Sequence, residues 1–149
     1  MAVTRRILTM DKQEVLLRWA GARIGIDSWR SDSYALGLLE PDGRVIAVGV
    51  LNMFHDQGAW VHLAADRSRN WLCAPELLPQ VFAWPFIELG LERLTARIAM
   101  SNIESQIAAL RLGFHVEGAE PRGFNGQDVA IFGMLRGECP WLKINQEEI

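Results

Sequence analysis

The chain reads as an α+β domain, and three observations carry that reading. Residues 34–39 and 45–53 are strand-like runs joined by Glu40-Pro41-Asp42-Gly43-Arg44. Proline presets φ there and glycine takes a positive φ, so the two runs form an antiparallel hairpin. Residues 94–98 form a third strand-like run, followed by Ser101-Asn102, whose side chains can accept from the first amides of a helix. Ile103, Ile107, Ala108, Leu110 and Leu112 follow at largely helical spacing. Gly113 stands where a left-handed residue ends the helix, and Phe114 folds back onto it. The unit is strand, capped helix, glycine stop and a further strand from near Val116. Finally, 149 residues suit one domain without a linker or repeat, long enough to bury about two thirds of the surface its unfolded chain exposes.

Taken in order, residues 1–10 hold Ile7 and Leu8 after Arg5-Arg6 and read either as an edge strand or as a frayed start. Asp11 can cap a helix running to Ile24, with Val15, Leu16, Trp19 and Ile24 on its apolar face. A polar connector around Trp29 leads to the hairpin. After a turn at 55–58 comes a central strand at 60–65, whose alternation puts Trp60, His62 and Ala64 on one face. Residues 75–89 read as helical, with Pro75 at a first-turn position and Pro85 as a kink or interruption. Residues 129–135 are a last strand, and the tail around Cys139 and Trp141 packs before the chain frays.

Composition narrows the function classes. Half the residues are apolar and 22% are charged, which is ordinary globular usage. The net charge of −3 and the lack of basic runs interleaved with aromatics argue against a nucleic-acid partner, although Arg67 and Arg69 make one basic spot. Apolar stretches break well short of the ~18 residues of a membrane span. With no signal peptide at its start, Cys73 and Cys139 read as thiols of a reducing cytoplasm rather than a disulfide.

Arg93, Ala96, Asn102, Ser105, Gly113-Phe114, Glu117-Gly118 and Arg122 fall in register, without a gap, on a known motif. In these residues the chain resembles the GNAT N-acetyltransferases, most of all the branch that acetylates ribosomal proteins. The resemblance implies an α+β GNAT fold over residues 1–149, with a mixed central sheet of about six to seven strands flanked by helices. It also implies acetyl-CoA as co-substrate, a primary amine as acceptor, and a monomer or homodimer.

The resemblance also implies where acetyl-CoA would sit. The family's pyrophosphate loop, Q/R-x-x-G-x-G/A, aligns with Arg69-Asn70-Trp71-Leu72-Cys73-Ala74, with Arg67 just before it. Arg69 and Ala74 fit, and Glu76 falls on a frequent family glutamate. Leu72 replaces the middle glycine and Pro75 removes a donor, so a helix cap without an anion is the competing reading. A gap between the central strand and the strand at 94–98 would admit the pantetheine arm, and the strand end Leu63-Ala64-Ala65 would pair its backbone with the pantetheine amides. Asn102 and Ser105 would order the neighbouring strand-to-helix junction, and an N-cap alone explains Asn102 equally well.

Acyl transfer to an amine needs a base and is helped by an acid for the departing thiolate. His62 and Asp66 are the candidate catalytic residues, with His55 and Asp56 in reserve. His62 has the pKa range of a base at neutral pH, yet the family's bases sit where this strand has Trp60 and Gly58. A structural histidine is the competing reading. The family's acid, a tyrosine, falls on Ala109, and the single Tyr34 lies on another strand. No metal is called, because His55, Asp56 and His62 lack a further partner at a recurring spacing. Trp60, Trp71 and Trp84 read as core.

The leading expectation is acetyl transfer from acetyl-CoA to a protein or peptide N-terminus or a small amine, by direct attack in a ternary complex. A GNAT-like binding or structural module without turnover is the alternative, motivated by Leu72 and Ala109. Group transfer to a nucleic-acid base ranks below both, against the acidic balance.

Overall fold

Seven strands form one sheet in the order β1-β2-β3-β4-β5-β7-β6. They are β1 (Ile7–Thr9), β2 (Tyr34–Leu39), β3 (Val45–His55), β4 (Gly58–Ala65), β5 (Arg93–Ala99), β6 (His115–Phe124) and β7 (Gln127–Leu135). The sheet is mixed: β4 and β5 run parallel, and the other neighbours are antiparallel. The computed structural model describes residues 5–66 and 71–143.

Helix α1 (Gln13–Ile24) covers one face, packing Leu16 and Ala20 onto Ala35, Val48, Val50 and Ala64. The other face carries α2 (Leu78–Ala83) and α3 (Ile103–Leu112). There Leu78, Phe82, Ala109 and Leu112 join Leu38, Leu51, Leu94 and Phe132 in the main core. Alternation along each strand sends neighbouring residues to opposite faces, so one strand feeds both clusters. The tail packs as expected: Cys139 and Leu142 are buried, and the Trp141 Nε1–H donates to the Leu112 carbonyl at 2.8 Å.

Asp11 does not cap α1. The N-cap is Lys12, in a left-handed conformation with φ 57° and no side-chain cap bond. Gln13 fixes the helix instead. Its amide donates to the Ala35 carbonyl at 2.8 Å and accepts from the Ala35 N–H at 2.7 Å, as an added rung beyond the end of β1 would. Val15, expected on the apolar face, is exposed.

The stretch 75–89 is interrupted rather than kinked. It breaks into a 3-10 turn at Pro75–Leu77, the α-helical Leu78–Ala83 and a π-type turn at Trp84–Glu88. Pro85 has no N–H for the carbonyl four residues back and its ring crowds that carbonyl. The helix widens there, and the Leu89 N–H reaches back five residues to Trp84 at 3.0 Å.

Residues 119–127 form the distal half of β6 and the turn that leads into β7. The hairpin turns through Asn125 and Gly126, both at positive φ, with Phe124 opposite Gln127. A two-residue Asn-Gly turn of this hand matches the twist of the strands it joins.

Candidate functional site

The parallel ladder between β4 and β5 is short. Gly58, Ala59 and Trp60 pair with Arg93, Leu94 and Thr95, and beyond that both strands continue without pairing to each other. β4 stays bonded to β3 through Ala65, while β5 stays bonded to β7 through Ala99. The Asp66 N–H donates to the Ile46 carbonyl at 2.8 Å, which fixes which way each peptide faces. Backbone directions alternate, so the main-chain groups of Leu63 and Ala65 turn toward the gap and those of His62 and Ala64 toward β3. Two contiguous grooves open on this gap and share Arg23, Ile24, Leu63, Asn102 and Ser105 in their walls. The groove of about 530 Å³ runs past Ala65, Asp66, Trp71 and Glu104. The other, of about 420 Å³, runs past His62, Arg97 and the tip of the β6–β7 hairpin.

His62 projects from β4 to the α1 face, together with Trp60 and Ala64. Its Nε2 lies 3.0 Å from Asn52 Oδ1, and its ring meets Trp29 edge-on with centroids 5.3 Å apart. Asn52 is buried and gives its Nδ2–H to Ser33 Oγ at 3.2 Å. A carboxamide oxygen only accepts, so His62 Nε2 carries the hydrogen and Nδ1 holds the lone pair. Burial, aided by the charge of Arg97, lowers the His62 pKa to about 4. Asp66 is exposed at the end of β4, four residues and therefore about 13 Å further along the strand. The two candidates stand at separate places in the cleft and do not form a pair.

The reserve candidates lie elsewhere. His55 and Asp56 occupy the β3–β4 turn, where His55 Nδ1 is 2.7 Å from the Met53 carbonyl. Among the described residues no group of three His, Cys, Asp or Glu side chains is placed to hold a metal ion.

The two ends of the α3 wall are built as its sequence directs, but of the apolar positions read there Ile103, Ile107 and Leu110 are exposed, and Ala109 and Leu112 make the buried face. Asn102 Oδ1 accepts from the Ser105 N–H at 3.2 Å, whereas the Ser101 hydroxyl is turned away to Gln127 Oε1 at 2.7 Å. Gly113 ends the helix at φ 107°, and the Phe114 N–H returns to the Ala109 carbonyl at 3.0 Å. Ala109 itself is fully buried in the main core and lines neither groove.

On the opposite wall, Arg67, Arg69 and Asn70 lie outside the described residues. Trp71 is buried where the groove meets the core, Leu72 is half-buried against that core, and Ala74 is buried. The amides of Ala74, Leu77 and Leu78 donate to carbonyls three residues back, closing successive turns.

No family model matches the sequence, and no curated protein matches it. Solved structures do. The spermidine/spermine N-acetyltransferase SpeG from Vibrio cholerae, in complex with manganese ions, superposes with a TM-score of 0.73 at 15% identity over 95% of this chain and 96% of that one. Mutant forms of SpeG give 0.72 at 13% identity over 97% and 99%. Its dodecameric structure in an intermediate state gives 0.69 at 14% over 89% and 94%. This is the GNAT fold. At these identities the likeness shows the fold, a seven-stranded mixed sheet with three helices, and leaves the branch and the substrate apart.

Within the GNAT fold, the structure brings Leu63, Ala65, Trp71, Asn102 and Ser105 to one cleft and His62 to its α1 side. Sequence reasoning missed Arg23, Trp29, Asn52 and Arg97. Asn52 did leave a signal, as one amide inside the otherwise apolar run of β3. The arginines left none, since charged residues at a helix end or on a strand are ordinary surface features.

Proposed function

We propose that this protein transfers an acetyl group from acetyl-CoA to a primary amine, by direct attack while both are bound to one GNAT-like domain. The acceptor class is a protein or peptide N-terminus or a small amine. The observation that carries this reading is the parted β4 and β5, with the main chain of Leu63 and Ala65 facing the gap. These groups suit the amides of a pantetheine arm, and a strand N–H directed at the thioester carbonyl would stabilise charge developing on its oxygen. Acetyl-CoA supplies the activated acyl group and a leaving thiolate.

The residues of the chain itself position the amine and handle its proton. His62 is neutral above about pH 4, with Nε2–H committed to Asn52 and Nδ1 as the accepting nitrogen. So weak a base does not deprotonate an ammonium in solution. The acceptor therefore reacts as free amine, its ammonium proton lost to solvent. The nitrogen acidifies as it bonds to the acyl carbon, and a neutral imidazole then suffices to take the second proton as the thiolate departs. Asp66 stands at the cofactor end of the cleft and serves better to orient groups there than to move that proton. With Ala109 in the tyrosine position, the thiolate leaves to solvent. We place the protein in the cytoplasm, as a monomer or homodimer without a nucleic-acid partner. No helix among the described residues is long and apolar enough to cross a membrane.

A second reading, a GNAT-shaped module that does not turn over, is favoured by the inward-bonded amides of Ala74, Leu77 and Leu78. Titration calorimetry with acetyl-CoA separates the two. Micromolar binding with thiol release on adding amines supports transfer, while no heat at millimolar ligand supports the module. Arg69→Ala should weaken acetyl-CoA about tenfold, as expected for one charged hydrogen bond to a phosphate.

A further inference from the structure

The charges along the cleft are sorted. Asp66 and Glu104 line only the groove at the end of β4, Arg97 lines only the groove between the end of α1 and the β6–β7 hairpin, and Arg23 stands in the wall they share. Among the described residues no carboxylate lines the second groove. The two arginines differ in how they are held. Arg97 is neutralised: its Nε and Nη2 bond Glu120 at 2.7 and 3.3 Å, its Nη2 also bonds the Gly123 carbonyl at 3.2 Å, and its guanidinium stands 4.8 Å above Trp60. Arg23 lies 3.4 Å over the Trp19 ring and donates once, to the Trp19 carbonyl at 3.2 Å. No carboxylate among the described residues is within ion-pair distance of it.

A guanidinium stacked on an indole keeps its planar fork oriented at little entropic cost, and such a fork suits the two oxygens of a carboxylate. A second ammonium in the same groove would meet the uncompensated charge of Arg23, while Glu120 is already committed to Arg97. Resting on the acetyl-transfer reading, we propose that the acceptor is a small amine bearing a carboxylate, of the amino-acid type, anchored at Arg23, and not a polyamine. This separates the chain in substrate class from the spermidine acetyltransferases whose fold it shares.

The test uses three probes of one chain length, 5-aminopentanoate, pentylamine and 1,5-diaminopentane, titrated into the intact protein with and without acetyl-CoA. The carboxylate-bearing amine should bind about tenfold tighter than the diamine, and Arg23→Gln should erase that difference while Arg23→Lys retains part of it. Equal or tighter binding of the diamine, or no binding of any probe, overturns the proposal. So does an Arg23→Gln variant that loses acetyl-CoA affinity but not the probe preference, which would assign Arg23 to the phosphates of the donor. Thiol release is followed separately. A protein that shows the binding preference without acetylating any probe refutes transfer to small amines and leaves the carboxylate site at Arg23 standing.

Discussion

The two helix entries that flank the gap between β4 and β5 solve the same backbone problem in opposite ways. At α3 a side chain, Asn102, satisfies one first-turn amide, the helix starts cleanly, and Gly113 ends it. At the other flank the amides of Ala74, Leu77 and Leu78 are consumed by tight turns, and the following residues pass through α and π geometry before Leu89. A capped α-helix keeps its entry amides available to the cleft, whereas stacked 3-10 turns direct theirs inward. Local sequence chemistry therefore governs one wall, and prolines together with burial govern the other.

The largest effect expected from testing that contrast is at the end of α3. Gly113→Ala places a Cβ 2.8 Å from Pro140 Cδ at a φ of 107°. Left-handed strain and overpacking together should cost about 3–4 kcal/mol in urea unfolding. A loss below about 1 kcal/mol would mean that the α3 wall tolerates as much irregularity as its counterpart.

On the β4 side, stability should fall with acid through His62. Its folded pKa of about 4 lies below the ordinary 6.5, so the unfolded chain binds the proton more readily. The contribution is complete above about pH 6.5 and is lost as pH falls toward 4, at most about 3 kcal/mol in all. His62→Gln should flatten stability over that window relative to the parent. Parallel curves for the two proteins would show that His62 is not desolvated.

Ala109→Tyr probes whether the α3 wall has room for the ring that other GNAT folds carry. Because Ala109 is fully buried and lines neither groove, the ring should overpack the core, with a cost of about 2 kcal/mol and no gain in acetyl-CoA affinity. Unchanged melting with raised turnover would reverse that conclusion. The smallest effect is at the cap itself. Asn102→Ala should cost about 1 kcal/mol, and Ser101→Ala distinctly less, because its hydroxyl bonds Gln127 instead. Equal losses from the two would move the cap to Ser101.

Legibility in the sequence follows the same division. The turn at Pro41-Asp42-Gly43, the Asn102 cap and the Gly113 stop were readable because each uses a residue whose own chemistry dictates the backbone, and Gly43 and Gly113 do take positive φ. The hairpin at 119–127 was missed although Asn125-Gly126 signals its turn. Gly118, Pro121 and Gly123 interrupt the alternation of β6, and its exposed edge needs no apolar face. The helix cap at Asp11 failed because Gln13 found a partner across the chain at Ala35, a contact 22 residues away that no local pattern encodes. The gap itself was expected only by resemblance. Where two strands stop pairing is set by what lies between and above them, and here the end of α1 brings Arg23 to a cleft that its own sequence does not announce.

The outer strands of the sheet bear on how the protein behaves among its own copies. An unpaired strand edge is a template for a further strand, and extended pairing of that kind leads to aggregation. β1 offers three residues, Ile7–Thr9, and the rung after it is occupied by the amide of Gln13. β6 is longer, but its register breaks between Val116 and Gly118 and again between Glu120 and Phe124, with Pro121 inside the second break. A proline lacks the donor a new neighbour would need, and each irregularity twists the edge out of line. Among the described residues, neither border presents a straight ladder several residues long. Both margins thus offer a further strand a poor template, which disfavours strand-to-strand polymerisation between copies.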